Sequence, residues 1–310
     1  MKILLTGGNG FLGRWVFAAL KQDHHVVVSP MRERHDLTIH ADTVRAFKES
    51  QPDCVVHLAA IVGGIGANKA RPADFFRENM QMALNVVDVA RHYKAKVVSV
   101  GTVCSYPKHC AVPFKETDLW NGYPEETNAP YGIAKKAMLT MMQAYHAQYG
   151  LKMVYLIPAN LYGPGDHDDL ETSHVIPALI RKMMTAKARK QKTVTLWGTG
   201  NATREFLYVG DAAEAIMLAV AVHDHAEPVN LGTGVEITIA ALAERVKAAV
   251  GYEGTIQYDA TKPDGQPRRS LDTTRARALL GWTARTSLEE GLRSTVESMV
   301  TKADTARYEL

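Results

Sequence analysis

Tyr131 and Lys135 open a run that reads as the start of a helix, Tyr131-Gly132-Ile133-Ala134-Lys135. A spacing of four residues puts both side chains on one helix face. A phenol titrates at about 10 in water, and a neighbouring ammonium favours the phenolate and lowers that value. Such a pair can exchange a proton with a substrate oxygen near neutral pH. Upstream, Gly101-Thr102-Val103-Cys104 leaves the end of a short apolar run. There the Thr102 hydroxyl can donate a hydrogen bond to a substrate carbonyl. A Tyr-x-x-x-Lys pair alone is common by chance. A hydroxyl one strand away and a glycine turn at the start of the chain make the set specific.

That turn is Gly7-Gly8-Asn9-Gly10-Phe11-Leu12-Gly13, with glycines spaced Gly-x-x-Gly-x-x-Gly at 7, 10 and 13. It follows a strand-like run and opens a helix-like one. Glycine permits the tight bend and lets backbone N–H groups approach a pyrophosphate at a helix N-terminus. An acid about 20 residues further on favours NAD, and an arginine favours NADP. The second strand instead ends in Ser29-Pro30-Met31-Arg32-Glu33-Arg34. Arg32 and Arg34 favour NADP(H), while Glu33 leaves NAD open.

Elements must place these residues together. Short runs rich in Val, Ile and Leu lie at Lys2–Thr6, His25–Ser29, Cys54–Leu58, Lys96–Val100 and Met153–Ile157. They suit parallel strands buried on both faces. Helical stretches fall between them at 11–22, 41–50, 73–93 and 130–149. The alternation predicts an α/β fold, a Rossmann-like doubly wound parallel sheet. Beyond residue 160 the pattern is less regular. We expect helices at Val175–Ala188 and Asp211–Val222, and strands at Thr193–Leu196, Phe206–Val209 and Pro228–Leu231. Helices near 238–250, 273–280 and 287–301 follow. The expected division is a dinucleotide-binding domain of 1–160 plus about 203–245. A smaller C-terminal α/β substrate lobe then takes about 161–202 plus 246–310.

Composition excludes several classes. The 310 residues are 46% apolar and 22% charged, which rules out disorder, collagen-like repeats and disulfide scaffolds. Thirty-six basic against 33 acidic residues leave +3, too balanced for a protein that wraps nucleic acid. Cys54, Cys104 and Cys110 are sparse and odd in number, as expected in a reducing compartment. The first apolar run is too short for a signal peptide, and Ala215–Val222 is far below the ~20 residues that span a bilayer. The expectation is a soluble cytoplasmic protein with no nucleic-acid or membrane partner. The His167-Asp168-Asp169 run admits either a metal or a solvated loop, and we expect the loop and no metal.

The glycine turn, Leu58-Ala59-Ala60 after the third strand, Thr102 and the Tyr131–Lys135 pair together resemble the extended short-chain dehydrogenase/reductase family. Further runs narrow the likeness: Ala60-Ile61-Val62-Gly63-Gly64-Ile65, Cys104-Ser105-Tyr106-Pro107-Lys108 and Asn160-Leu161-Tyr162-Gly163-Pro164. So do Ser173-His174-Val175-Ile176-Pro177-Ala178-Leu179, Trp197-Gly198-Thr199-Gly200 and Arg204-Glu205-Phe206-Leu207-Tyr208-Val209. Lys262-Pro263-Asp264-Gly265-Gln266-Pro267-Arg268 completes the set. Across essentially the whole chain these runs are similar to the GDP-L-fucose synthase family, NADPH-dependent epimerase/reductases acting on GDP-4-keto-6-deoxy-mannose.

The resemblance implies roles. Cys104 and His174 match the acid/base pair for inversion at C3 and C5, with Thr102, Tyr131 and Lys135 serving reduction at C4. Gly7, Gly10, Phe11, Leu12, Gly13, Arg32, Arg34, Asp36 and Leu37 match positions that hold NADP(H). Leu58, Ala59, Ala60, Tyr131, Lys135, Pro158, Asn160, Leu161 and His174 do so as well. Asn160, Arg204 and Arg268 match contacts to the nucleotide-diphosphate sugar, while Arg181 offers a cation for the diphosphate and Trp197 a ring to stack on the base or close over the sugar. Cys54 and Cys110 are structural on this reading. A homodimer through the helices at 73–93 and 130–149 is implied by resemblance.

The chain also departs from the pattern. Thr102 stands for the usual Ser and keeps the hydroxyl. Asn9 replaces a basic residue of some members and weakens the case for NADP. Gly210 replaces an acid. A related epimerase or 4-ketoreductase for a deoxyheptose or dideoxyhexose is the alternative. A 4,6-dehydratase is disfavoured because Val103-Cys104 stands where those enzymes carry Asp-Glu. A non-catalytic NADP-binding sensor is disfavoured by the intact Tyr131 and Lys135.

Overall fold

The apolar segments of the first half become parallel strands because helices cover their faces. The computed structural model describes residues 1–167, 174–222, 224–262 and 264–308, with side chains for all of these except 65 and 302–308. The chain runs β1 (Lys2–Thr6), α1 (Phe11–Gln22), β2 (Val26–Val28), α2 (His40–Ser50), β3 (Cys54–His57), α3 (Ile65–Ala70), α4 (Pro72–His92) and β4 (Lys96–Val100). Two 3-10 turns, Val103–Ser105 and Glu116–Trp120, lead to α5 (Ala129–Tyr149), β5 (Met153–Pro158) and β6 (Asn160–Tyr162). Then come α6 (Val175–Ala188), β7 (Thr193–Trp197), β8 (Thr203–Arg204), β9 (Phe206–Tyr208), α7 (Val209–Ala221) and β10 (His225–Leu231). The chain closes with β11 (Ile237–Thr238), α8 (Ile239–Val250), β12 (Thr255–Asp259), α9 (Thr274–Leu280) and α10 (Leu288–Tyr308).

Six strands form one parallel sheet in the order β10-β5-β4-β3-β1-β2. Every residue of β3, β4 and β5 is buried. Burying one Val or Leu side chain contributes about 1.5–3 kcal/mol. Among the helices, α1 packs on α7, and α4 packs on both α2 and α5. The chain leaves β1 toward β2 on one side and β3 on the other, so a switch point lies between β1 and β3. Ligands of open α/β sheets sit outside the carboxyl ends of the strands at such a point.

The sequence expectation of this fold agrees with the structure, with most element ends shifted by a residue or two; β10 starts three residues earlier than expected and α10 runs seven residues further. Short elements escaped it. α3, β6, β8 and β11 are too brief to show a period, and β12 is largely solvent-facing where it pairs in parallel with β7.

The cores also divide differently from the expected ranges. Leu242 and Ala243 of α8 belong to the second core, with α6, β7 and α10. Leu271, Ala276 and Trp282 belong to the first. The reason lies in the backbone. Phe114 N–H donates to Ser270 O at 2.7 Å, and Asp272 N–H to Phe114 O at 2.9 Å. This bridge pins 270–272 to the loop after β4, so α9 docks on the first lobe.

Candidate active site

The glycine turn closes against the switch point. Gly7 has φ +72°, and a Cβ there would sit 2.7 Å from Ala59 N. A Cβ on Gly13 would lie 2.0 Å from Gly7 O, so only glycine lets α1 start this close to the turn. Gly10 caps α1 without a side-chain bond, and the first turn holds no acid. The amides of Phe11, Leu12 and Gly13 therefore have no intrahelical partner and face a site suited to an anion. These features fit a dinucleotide pyrophosphate.

Arg32 and Arg34 lie beyond β2, exposed, with acids no nearer than 3.6 Å, at Glu78 and Glu49. Burial acts upward on the Asp36 carboxyl, but hydrogen bonds from the Thr38 hydroxyl and amide hold it below its ordinary value. Leu37 packs in the core, its carbonyl held by Asn85 Nδ2 at 2.8 Å. Leu58, Ala59 and Ala60 are half-buried at the end of β3. Pro158 ends β5, and Asn160 and Leu161 begin β6. Asn160 Nδ2 donates to Glu205 O at 2.9 Å.

β4 delivers the next group. Thr102 caps the 3-10 turn, its Oγ1 accepting the Cys104 amide at 3.2 Å. The oxygen is thereby used as an acceptor, which leaves the hydroxyl proton to donate. Tyr131 and Lys135 are both buried on α5. Lys135 Nζ donates to Val100 O at 3.0 Å. Burial lowers its ammonium to about 8. The Tyr131 phenol departs from the expectation. Burial and the neighbouring Cys104 hold it above its ordinary value, so the free site keeps it protonated. Behind Lys135, buried His57 is pushed down to about 3 by desolvation and then by Lys135, and it stays neutral.

Cys104 lies beside a cation that the sequence reading passed over. Arg269, 8% exposed, donates Nη1 to Cys104 Sγ at 3.5 Å. Its Nε and Nη2 donate to Gln266 Oε1 at 3.1 and 2.9 Å. Arg204 reaches the same cluster, donating Nη1 to Gln266 O at 2.6 Å. Burial, with Arg269 nearby, lowers it to about 10. Arg268 instead points away, with Nε 3.2 Å from Glu236 Oε2 in an exposed ion pair. No periodicity marks which of two adjacent arginines turns inward in a segment without helix or strand. Cys54 and Cys110 are free thiols, raised by burial to about 12 and about 11.

His174 caps α6, its ring 47% exposed. Its Nδ1 lies 3.6 Å from Oδ1 of buried Asp166, a second residue that no sequence signal marked. Arg181 lies on the exposed side of α6, two turns beyond His174. Trp197 ends β7 with 71% of its surface exposed and Lys262 Nζ 5.7 Å above its ring. Asp168 and Asp169 of the expected solvated loop, with Ser173, lie outside the described residues, as does Pro263. Among the described residues, no helix is long and apolar enough to cross a membrane.

The chain is similar to known proteins over most of its length. The model of the NAD dependent epimerase/dehydratase family matches residues 3–232. GDP-L-fucose synthase 1 of Arabidopsis thaliana is 41% identical over 298 residues, covering 96% of this chain and 92% of that protein. A GDP-6-OMe-4-keto-L-xylo-heptose reductase from C. jejuni superposes with TM-score 0.91 at 28% identity, covering 97% of each chain. A GDP-L-fucose synthetase from Naegleria fowleri bound to NADP superposes with TM-score 0.88 at 25% identity, covering 98% of this chain and 95% of that one. With its glycine turn, its Tyr131–Lys135 pair and this match over most of its length, the chain belongs to the NAD-dependent epimerase/dehydratase family.

Proposed function

We propose that this chain is an NADPH-dependent epimerase/reductase that converts GDP-4-keto-6-deoxy-mannose to GDP-L-fucose. One observation carries the reading. The Cys104 thiol accepts from the Arg269 guanidinium and acts electrostatically on the Tyr131 phenol, two residues beyond the Thr102 hydroxyl. A plain ketoreductase needs the hydroxyl, phenol and ammonium, and has no use for the thiol.

The chemistry follows from the ketone. The C–H bonds at C3 and C5 are acidic because the enolate places its charge on the C4 oxygen. Thr102 and Tyr131 donate hydrogen bonds to that oxygen. Cys104 and His174 remove and return protons on opposite faces of the ring, which inverts the carbon. The α1 amides, Arg32 and Arg34 would hold NADPH, which would supply the hydride for C4. Tyr131, kept as a phenol by burial, gives its proton to the C4 oxygen, and the Lys135 ammonium stabilises the phenolate left behind. Arg204, Arg181 and Trp197 receive the diphosphate and the sugar nucleotide. Arg268, engaged with Glu236, has a lesser part. We place the enzyme in the cytoplasm as a homodimer formed through α4 and α5.

A second reading, a 4-ketoreductase for another GDP-keto sugar such as a deoxyheptose, is favoured by the superposition on the heptose reductase. One experiment separates the two. The protein is mixed with GDP-4-keto-6-deoxy-mannose and NADPH in deuterated water. GDP-L-fucose carrying deuterium at C3 and C5 is the expected product. Reduced sugar without deuterium supports the second reading, and no turnover removes this substrate. Cys104→Ser is expected to suppress deuterium uptake and leave NADPH binding intact.

A further inference from the structure

Asp166 ends the turn Gly163-Pro164-Gly165-Asp166 after β6. Its side chain is 3% exposed, and its Oδ2 is buried with no hydrogen-bond partner among the described residues. Oδ1 accepts the His167 amide at 2.8 Å and lies 3.6 Å from His174 Nδ1. A carboxylate buried this way is costly unless a cation answers it. The turn is anchored from α1. Trp15 Nε1 donates to Pro164 O at 3.1 Å, and Arg14 Nη2 to Gly165 O at 2.9 Å. Asp166 is therefore held beside the helix that opens the dinucleotide site.

We infer that Asp166 is the positioning residue of His174, fixing the ring through Nδ1–H and leaving Nε2–H as the proton that returns to the sugar. This rests on the epimerase reading above. In that step the enolate electron pair forms the new C–H bond with the Nε2 proton. The N–H electron pair stays on the nitrogen, and the imidazolium becomes a neutral imidazole. The exposed ring edge takes a fresh proton from water. Deuterium from solvent would enter by that route.

The electrostatics agree with this role. The Asp166 carboxylate, 3.6 Å from Nδ1, raises the His174 imidazole above its ordinary value, against the downward pull of burial. Asp166 is the charged group that acts on it among the described residues. A raised value keeps the ring protonated to higher pH than a free histidine. Removing the carboxylate leaves burial alone, which pushes the other way.

The test is Asp166→Asn, read two ways. In the first, NMR follows the His174 ring through a pH titration without substrate. The wild type is expected to titrate above the ordinary 6.5 and the variant below the wild type. Equal titration overturns the inference. In the second, products are analysed after reaction with the keto sugar and NADPH. The ratio of inverted to uninverted reduced sugar is expected to fall about tenfold or more, with the KM for NADPH within about twofold. An equal loss of both products is what a structural role gives, and it overturns the inference. Asp166→Glu, which keeps the charge, is expected to restore part of the ratio and serves if the Asn variant does not fold. A wild type that yields no inverted sugar refutes the epimerase reading, while the NMR titration still decides whether Asp166 controls His174.

Discussion

Lys135 ties the pH behaviour of activity to that of stability, with opposite signs. Its ammonium is lowered by burial to about 8. The unfolded chain holds that proton up to about 10.4. Between the two values the unfolded state binds more protons, so stability rises with pH. Reduction needs the charged form and falls through the same window. We expect a steady-state pH profile of reduction with a descending limb near 8. Lys135→Met is expected to abolish the limb and lower reduction about 100-fold or more. A limb that survives in the variant would belong to another group. Neighbouring positions show how little residue type alone reveals. Arg268 and Arg269 are identical in chemistry, yet one pairs with Glu236 at the surface and the other touches Cys104. At Gly210 the structure supplies a reason for the missing side chain. A Cβ there would meet the Tyr208 ring at 2.8 Å and Trp15 at 3.4 Å, where the two aromatics pack edge to face.

Elements of the two lobes are joined by buried acids. Glu205, between β8 and β9, accepts the Gly234 amide at 2.8 Å through Oε1 and the Leu271 amide at 2.7 Å through Oε2. It thus ties together β9, the loop after β10 and the strap that carries Arg269. Burial raises the carboxyl, and the backbone amides oppose that rise. Asp211 plays a like part at the start of α7, accepting the Arg285 and Thr286 amides at 3.0 and 2.9 Å. Glu205→Ala leaves buried N–H donors unpaired at about 1–3 kcal/mol each. We expect a loss of about 3 kcal/mol or more in urea unfolding, together with weaker substrate binding because the strap loses its anchor. A variant within about 0.5 kcal/mol of wild type would show that water replaces the carboxylate.

At the scale of the whole molecule, α4 and α5 pack side by side and leave apolar groups outside. Phe76 is 42% exposed and lies with Pro72, Ala73, Tyr123, Pro130 and Ile133 around one shallow cavity of about 430 Å³. Leu84 is exposed further along α4. In a two-fold dimer each such residue is counted twice. Phe76→Asp places a charge at the proposed seam, and truncating an interface aromatic costs about 2 kcal/mol or more. Sedimentation is expected to show a dimeric wild type and a monomeric variant with unchanged circular dichroism. A variant that remains dimeric would move the interface elsewhere.

The local grammar was legible in the chain. Glycines at 7, 10 and 13 between a strand and a helix, and Tyr131 four residues before Lys135, act through short-range geometry that spacing alone dictates. Buried parallel strands announce themselves by continuous apolar runs, and the main sheet follows from them. The likeness of the ordered motifs also pointed to Cys104 and His174, whose proposed roles neither residue reveals by itself. Tertiary structure decided what distance in sequence conceals. Arg269 meets Cys104 across 165 residues because a backbone bridge at Phe114 pins its strap to the first lobe. Asp166 meets His174 because two glycines turn the chain after β6 and α1 holds the turn. The Tyr131 phenol is raised because packing removes its water, an effect of burial and not of residue type.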